Sequence, residues 1–449
     1  MNRRAFLATI AATSIPAAAR KPDIILILAD DLGAADLSSF GSPDIHSPNI
    51  DSIARRGIRF TQCYANGPEC SPTRSALLTG RYQHRFGGLE CAIGNGNIGR
   101  YDEAAWLAAR GELGLPATEI SLPRILKQNG YDTACFGKWH LGYLDKFLPR
   151  RHGFDQYFGI LGGGADYFTH KEENGNMTLY RNEKPEDRKG YLTDLFADEA
   201  IAWLKRRTEK PFFLYVPFNA PHVPIQDPDG FDAKLGTAPT LKLTRPVYVK
   251  MVERMDKRIG GILRQLRDMG RDGNTIVIFL SDNGGDPNGD NGTLRGRKSS
   301  TWEGGIRVPG MMQWPGKIPA GKVTPQVTLS MDLMPTLLSA AGIKPPAGTK
   351  FDGIDLMPVL TGVKSPISRT VFWRGRRAEN IRKAVRDGSW KLVDDNGKQE
   401  LHDLSTDEIE QKDLLHAQPE RAALLRRKLA DWERDVRAPR LAGFRPGAG

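Results

Sequence analysis

Three stretches of the chain stay apolar for the full length of a strand: DIILILA at 23–29, PFFLYVPF at 211–218 and NTIVIFLS at 274–281. Unbroken runs of this length, as opposed to alternating ones, mark strands covered on both faces, as in a mostly parallel sheet between layers of helix. Helical patterns fall between them, at 49–57, 121–129, 191–207, 246–269 and 328–342, with further strands at 58–63 and 131–136. A helix is also predicted over CSPTRSALLT, with Ser71 as N-cap, Pro72 at the first helical position and Gly80 as the stop. This rhythm of strand and helix predicts a doubly wound α/β domain over residues 20–362. From about 366 the texture changes to short strands, VFWRGRRA, IRKAVRDGSWKLV and QELHDL. An amphipathic helix follows, with Leu425, Leu429, Trp432 and Val436 at helical spacing. That predicts a small α+β subdomain over 366–449. The stretch 85–116 is Gly-rich and irregular and is assigned to a substrate-facing loop, and 153–183 is loop-rich, with Asp166, Tyr167 and His170 as candidate substrate contacts.

Composition narrows the class without naming a function. The 449 residues are 39% hydrophobic and 26% charged, ordinary for a globular protein, and no apolar run after the N-terminus approaches the ~18 residues that span a bilayer. A stable membrane anchor is therefore not expected. Met1–Ala19 reads as an export signal: Arg3 and Arg4, an Ala-rich stretch, then Ala17, Ala18 and Ala19 as a cleavage site. The segment RRAFL resembles a twin-arginine signal, which predicts delivery by the twin-arginine export machinery to the periplasm or outside the cell. Its removal takes two arginines and no acid, lowering the net charge from +11 to +9. A basic surplus suits polyanionic partners, and with no nucleic-acid-binding module in the chain, nucleic acid is discounted. Cys63, Cys70, Cys91 and Cys135 form neither a disulfide framework nor a CxxC metal pattern.

Candidate chemistry collects where the strands end. Asp30 and Asp31 follow the first apolar run, His222 sits in NAPHVP after the second, and Asp282 and Asn283 follow the third. Open α/β sheets place ligands at the carboxyl ends of their strands. An all-oxygen set of Asp30, Asp31, Asp282 and Asn283 selects Ca²⁺ or Mg²⁺ over Zn²⁺. Cys70 stands at the start of its helix, where the macrodipole favours anions, and Arg74 returns to the same end one turn later. In GKWHLG, Lys138 and His140 alternate about Trp139, so on an extended chain both side chains point to one face.

The string CSPTRSALLTGR resembles, position for position, the active-site signature of the type I sulfatases, CxPSR followed by LTGR, with Thr73 in place of Ser. GYDTACFGKWH matches that family's second signature, and DDLG, the PHxP segment and EGGxRVP follow in the family's order. The resemblance covers nearly all of the chain beyond the export signal. It implies an alkaline phosphatase-like fold: a large mixed, mostly parallel sheet flanked by helices, with a small C-terminal antiparallel sheet and helix. It further implies that a formylglycine-generating enzyme converts Cys70, and that the hydrated aldehyde is the nucleophile toward a sulfate ester, of a sulfated glycan or a small aryl sulfate. Calcium is the implied metal, held by Asp30, Asp31, residue 70, Asp282 and Asn283. Arg74, Lys138 and Lys298 are implied to hold the nucleophile and the sulfate, with Arg295 and Arg297 as rivals of Lys298. His222 would protonate the leaving alcohol and His140 would assist release of sulfate. A phosphoester or phosphonate ester hydrolase of the same superfamily is the alternative, and residue 283 discriminates: the phosphonate ester hydrolases resembling this chain carry His there, and this chain carries Asn283.

Overall fold

The centre of the sheet is β1 (Asp23–Ala29), flanked in parallel by β8 (Phe212–Pro217) and β9 (Thr275–Ser281). In this computed structural model residues 20–207, 209–241 and 244–445 are described, so the expected export signal at 1–19 lies outside them. All three strands are buried at every position. The reason is visible in β1. Ile24, Leu26 and Leu28 enter one apolar cluster while Ile25, Ile27 and Ala29 enter the cluster on the opposite face. Two helical layers leave no polar face, so the strand shows no alternation in sequence.

The remaining strands of the main sheet are β2 (Ile58–Phe60), β4 (Asp132–Phe136), β5 (Gln156–Ile160), β6 (Leu179–Arg181), β7 (Lys184–Pro185), β10 (Gly310–Gln313) and β11 (Lys322–Thr324). Their order is β11-β2-β10-β9-β1-β8-β4-β5-β6-β7, parallel from β9 through β5, with β10 antiparallel to both β9 and β2, β11 parallel to β2, and β6 and β7 antiparallel at the other edge. One helical layer holds α1 (Pro48–Arg55), α5 (Leu192–Lys205) and α6 (Arg245–Asp268); the other holds α2 (Cys70–Thr79), α4 (Leu122–Gln128) and α8 (Leu333–Ala340). Asp256 ties the first layer together. Its carboxylate on α6 accepts the Asn49 and Ile50 amides at 3.0 and 2.8 Å, capping α1 from outside.

The C-terminal part is a four-stranded antiparallel meander: β13 (Thr370–Arg377), β14 (Asn380–Asp387), β15 (Trp390–Asp395) and β16 (Lys398–Asp403). Helix α10 (Pro419–Asp435) buries Leu425, Leu429 and Trp432 against it, with Trp432 stacked on Phe372 at 5.1 Å. Tyr64 and Ile306 of the large domain join the same cluster. The two parts therefore share apolar surface.

Three local readings are corrected. Helix α2 begins at Cys70, with extended Glu69 as its N-cap, because Ser71 Oγ donates to the His140 carbonyl at 2.8 Å and accepts the Ile93 amide. Ser71 thus braces the neighbouring loops and caps nothing. The stretch 85–116 is not wholly irregular: α3 (Asp102–Ala109) forms within it, and Arg376 pairs with Asp102 and Glu103 in its first turn. The helix expected over 328–342 starts only at Leu333. Thr328 and Leu329 form β12, paired with β3 (Cys63–Tyr64), and Asp332 turns the chain by accepting the Leu329 amide at 2.7 Å. Two four-residue helices, α7 (Glu303–Ile306) and α9 (Met357–Leu360), complete the set among the described residues.

Candidate active site

Asp30 and Asp31 leave β1, and Asp282 and Asn283 leave β9, at the same edge of the sheet. All four are buried. Asp31 turns away with φ of 62°, in the left-handed region, and Asp282 Oδ1 accepts its amide at 3.2 Å. Helix α2 brings its first turn to this edge, so Cys70 Sγ lies 3.3 Å from Asp30 Oδ1 and 3.3 Å from Lys138 Nζ. One ligand atom each from Asp30, Asp31, Cys70 and His222 fall within 4.8 Å of one another.

Three carboxylates meet three cations here. Arg74, fully buried, grips Asp282 Oδ2 through Nε at 3.0 Å and Nη2 at 2.8 Å and donates Nη1 to the Lys138 carbonyl. Lys138 Nζ reaches Asp30 Oδ2, and Lys298 Nζ reaches Asp31 Oδ2 at 2.6 Å. Burial opposes ionisation of Asp31, but the surrounding cations, Lys298 foremost, hold its carboxyl well below the usual carboxylate range. Burial and the neighbouring Asp30 push Asp282 up to about 6 even with Arg74 against it. Burial, with Asp30 second, pushes the Cys70 thiol well above its ordinary value. As a thiol, residue 70 is a poor nucleophile at neutral pH.

Among the described residues neither rival of Lys298 pairs with Asp31. Arg295 stacks on Trp302 at 3.6 Å and pairs with Glu400 of β16, and the charge of Arg297 acts on Asp286. Lys138 and His140 both reach the site, though not through strand alternation. The segment after β4 is irregular, and His140 has φ of 55°. Its Nε2 lies 2.8 Å from the Ile93 carbonyl, which only accepts, so Nε2 carries the proton. Nδ1 is then a bare acceptor, buried, with no partner among the described residues. His222 has the opposite tautomer. Nδ1 donates to the Val223 carbonyl at 2.6 Å and Nε2 lies 3.6 Å from Asp31 Oδ2. Burial, then the charge of Lys298, pushes its imidazole down to about 3, so it is neutral.

A dication fits this donor set. The Asn283 amide gives Nδ2 to Asp31 Oδ1 at 2.7 Å and to the Gly284 carbonyl at 2.9 Å. Its Oδ1 is buried without a partner among the described residues. A buried carbonyl oxygen left unbonded costs about 1–3 kcal/mol, and a hard cation among oxygen ligands satisfies it.

The site opens into a pocket of about 960 Å³. Of the loop candidates, Asp166 lines it, whereas Tyr167 donates to the Asn219 and His222 carbonyls and His170 contacts the Gly190 carbonyl, so both of these are structural. Arg100, Asp286 and Arg377 also line the wall, and no sequence motif marks them. The only hint of Arg100 in sequence is its place in the Gly-rich stretch. The four cysteines are separate buried thiols.

A mixed, mostly parallel sheet with buried carboxylates and the Cys70 end of a helix at one edge is the architecture of an alkaline phosphatase-like hydrolase. Comparison with known proteins narrows the class. The family model Sulfatase matches residues 22–343, and that of N-sulphoglucosamine sulphohydrolase, C-terminal, matches 297–435. N-acetylgalactosamine-6-sulfatase of Homo sapiens is 36% identical over 377 residues, 80% of this chain and 69% of its own. Arylsulfatase A of Bos taurus is 33% identical over 417 residues, 85% of this chain and 76% of its own. Among solved structures, that of Ps i-CgsB in complex with k-i-k-neocarrahexaose has a TM-score of 0.82 at 31% identity, with 94% of each chain covered. The chain belongs to the sulfatase family of the alkaline phosphatase superfamily and is a sulfuric ester hydrolase.

Proposed function

We propose that this protein hydrolyses sulfate esters of a sulfated glycan or a small sulfate ester, using a formylglycine formed from Cys70 and a calcium ion held by Asp30, Asp31, residue 70, Asp282 and Asn283. The carrying observation is the charge balance around Cys70. Asp30, Asp31 and Asp282 are already matched by Arg74, Lys138 and Lys298. A dication would leave the buried site positive, which an anionic ester offsets. A glycan is favoured because one relative is named for N-acetylgalactosamine 6-sulfate and one neighbour was crystallised with k-i-k-neocarrahexaose.

When bound, calcium would supply Lewis-acid polarisation of a sulfate oxygen. Formylglycine supplies, as its hydrate, the attacking hydroxyl that the buried thiol does not. The chain's own residues do the rest. Lys138, 3.3 Å from Cys70 Sγ, and Lys298, paired with Asp31, are the cations that would hold the sulfate oxygens. His140, with a bare Nδ1, has the tautomer of a base. His222 presents a bare Nε2 at rest and would take up a proton, as the anionic ester raises its basicity, before giving it to the leaving alcohol.

The test is turnover of an aryl sulfate and an aryl phosphate under one condition by wild type and Cys70→Ala. Preference for the sulfate, abolished in the variant, is the expected result. Faster phosphate turnover would overturn the substrate class, and full activity of Cys70→Ala would overturn the nucleophile.

A further inference from the structure

One wall of the pocket carries an arginine that the reaction at residue 70 does not use. Arg100 follows the turn closed by the Gly94–Ile98 bridge and is half-buried in the pocket wall. Its guanidinium packs over Gly94, where a Cβ would meet Nε at 3.3 Å. It makes no side-chain hydrogen bond or ion pair with any described residue. The Arg100 carbonyl accepts the Ala378 amide at 2.7 Å, fastening this loop to the turn between β13 and β14. That turn brings Arg377 to the same wall, where it is 48% exposed and touches Glu69 Oε1 only at 3.4 Å.

No acid lining the pocket, Glu173 included, is within ion-pair distance of Arg100. Asp166 is satisfied by the Phe168 and Thr169 amides, Gln226 and Thr237, and Glu172 accepts the Tyr143 hydroxyl at 2.6 Å. Glu69 takes the Ala92 amide and Ser299 as well as Arg377. Asp286 lies in the field of Lys298 and Arg297. A partly desolvated guanidinium without a counter-charge is costly unless a ligand supplies one. Its planar fork suits a carboxylate or sulfate group.

We infer that Arg100, supported by Arg377, is a specificity-determining residue that binds a second anionic group of the substrate, a sulfate ester or a carboxylate distinct from the sulfate being removed. The inference rests on the sulfate ester reading above and names the substrate class as multiply anionic saccharides. Joining the arginine loop to the C-terminal sheet also gives that subdomain a part in substrate choice.

The experiment measures kcat/KM for three disaccharides sharing one scissile sulfate: one with no other anion, one with a second sulfate ester and one with a uronate carboxylate. The readout is the ratio of each doubly anionic substrate to the singly sulfated one. Because one site turns over all three, this ratio does not depend on the fraction of enzyme that is folded or converted at residue 70. Wild type is expected to prefer at least one doubly anionic substrate. Arg100→Ala lowers that ratio about tenfold or more, the loss of one charge-assisted pair, and Arg100→Lys lowers it less. A fall confined to the disulfated pair identifies a sulfate ester, and one confined to the uronate pair a carboxylate. Ratios unchanged in Arg100→Ala, or a wild type indifferent to the second anion, overturn the inference while leaving the sulfatase reading intact. Failure of wild type to turn over any sulfate ester would strike that reading first and this inference with it.

Discussion

Replacing Arg74 by Met removes the guanidinium that grips Asp282 and keeps its length and apolar stem. Asp282 then loses two charge-assisted bonds, at 3.0 and 2.8 Å, and keeps only the Asp31 amide at 3.2 Å. Arg74 and Asp282 are both fully buried, so water cannot replace the lost partner. Breaking a buried pair on one side costs about 3–5 kcal/mol. A chain of this length has an unfolding entropy of about 0.9 kcal/mol/K, so the melting temperature should fall by about 3–6 °C. The deficit should be largest in the presence of a chelator and shrink with excess calcium, because a dication beside Asp282 compensates part of the charge that Arg74 no longer meets. Activity should suffer by a comparable free energy. Loss of one preorganised donor at a reacting centre costs about 10²–10³ in kcat, and here Asp282, a proposed calcium ligand, is also released from its brace. Calorimetry of wild type and Arg74→Met, with chelator and with calcium, together with kcat/KM on an aryl sulfate, reads both effects. A variant that melts with wild type under chelation and retains its activity would refute the view that Arg74 balances Asp282.

Two further outcomes are expected. Chelation should abolish turnover and lower the melting temperature, by about 3 °C if the ion had been present near a hundredfold over its dissociation constant. Calcium should restore both; restoration by zinc alone would contradict an all-oxygen ligand set. Far from the site, Asp256→Ala should cost about 1–2 kcal/mol through loss of the cap on α1. Burial raises the Asp256 carboxyl from 3.8 to about 6. Its contribution is therefore fully present below its unfolded value and is lost as pH rises through about 6, so the deficit of the variant should be about 1 kcal/mol larger near pH 5 than near pH 7. Urea unfolding at the two pH values checks this, and a deficit that grows with pH would contradict it.

The residues of the candidate site were legible because each sits on a short-range signal. Asp30, Asp31, Asp282 and Asn283 follow unbroken apolar runs, and such runs end at the ligand-binding edge of an α/β sheet whichever order the strands take. Cys70 and Arg74 share one helical turn. What misled was local propensity overruled by distant partners. Ser71 has the chemistry of an N-cap, but the carbonyl of His140 and the amide of Ile93, remote in sequence, claim its hydroxyl. Thr328 and Leu329 continue a helical pattern until β3 offers them a strand partner.

By itself, then, the chain determined its buried strands, most helices and the identities of the acids, cations and histidines at the sheet edge, since periodicity and strand ends are properties of neighbouring residues. Only the tertiary structure decided that Lys298, and neither Arg295 nor Arg297, reaches Asp31, and which nitrogen of each histidine is bare. It also decided that Arg100 and Arg377, 277 positions apart in the numbering, share a pocket wall. These depend on which groups face one another across loops, and a burial that leaves no water to substitute makes each such pairing, or its absence, matter.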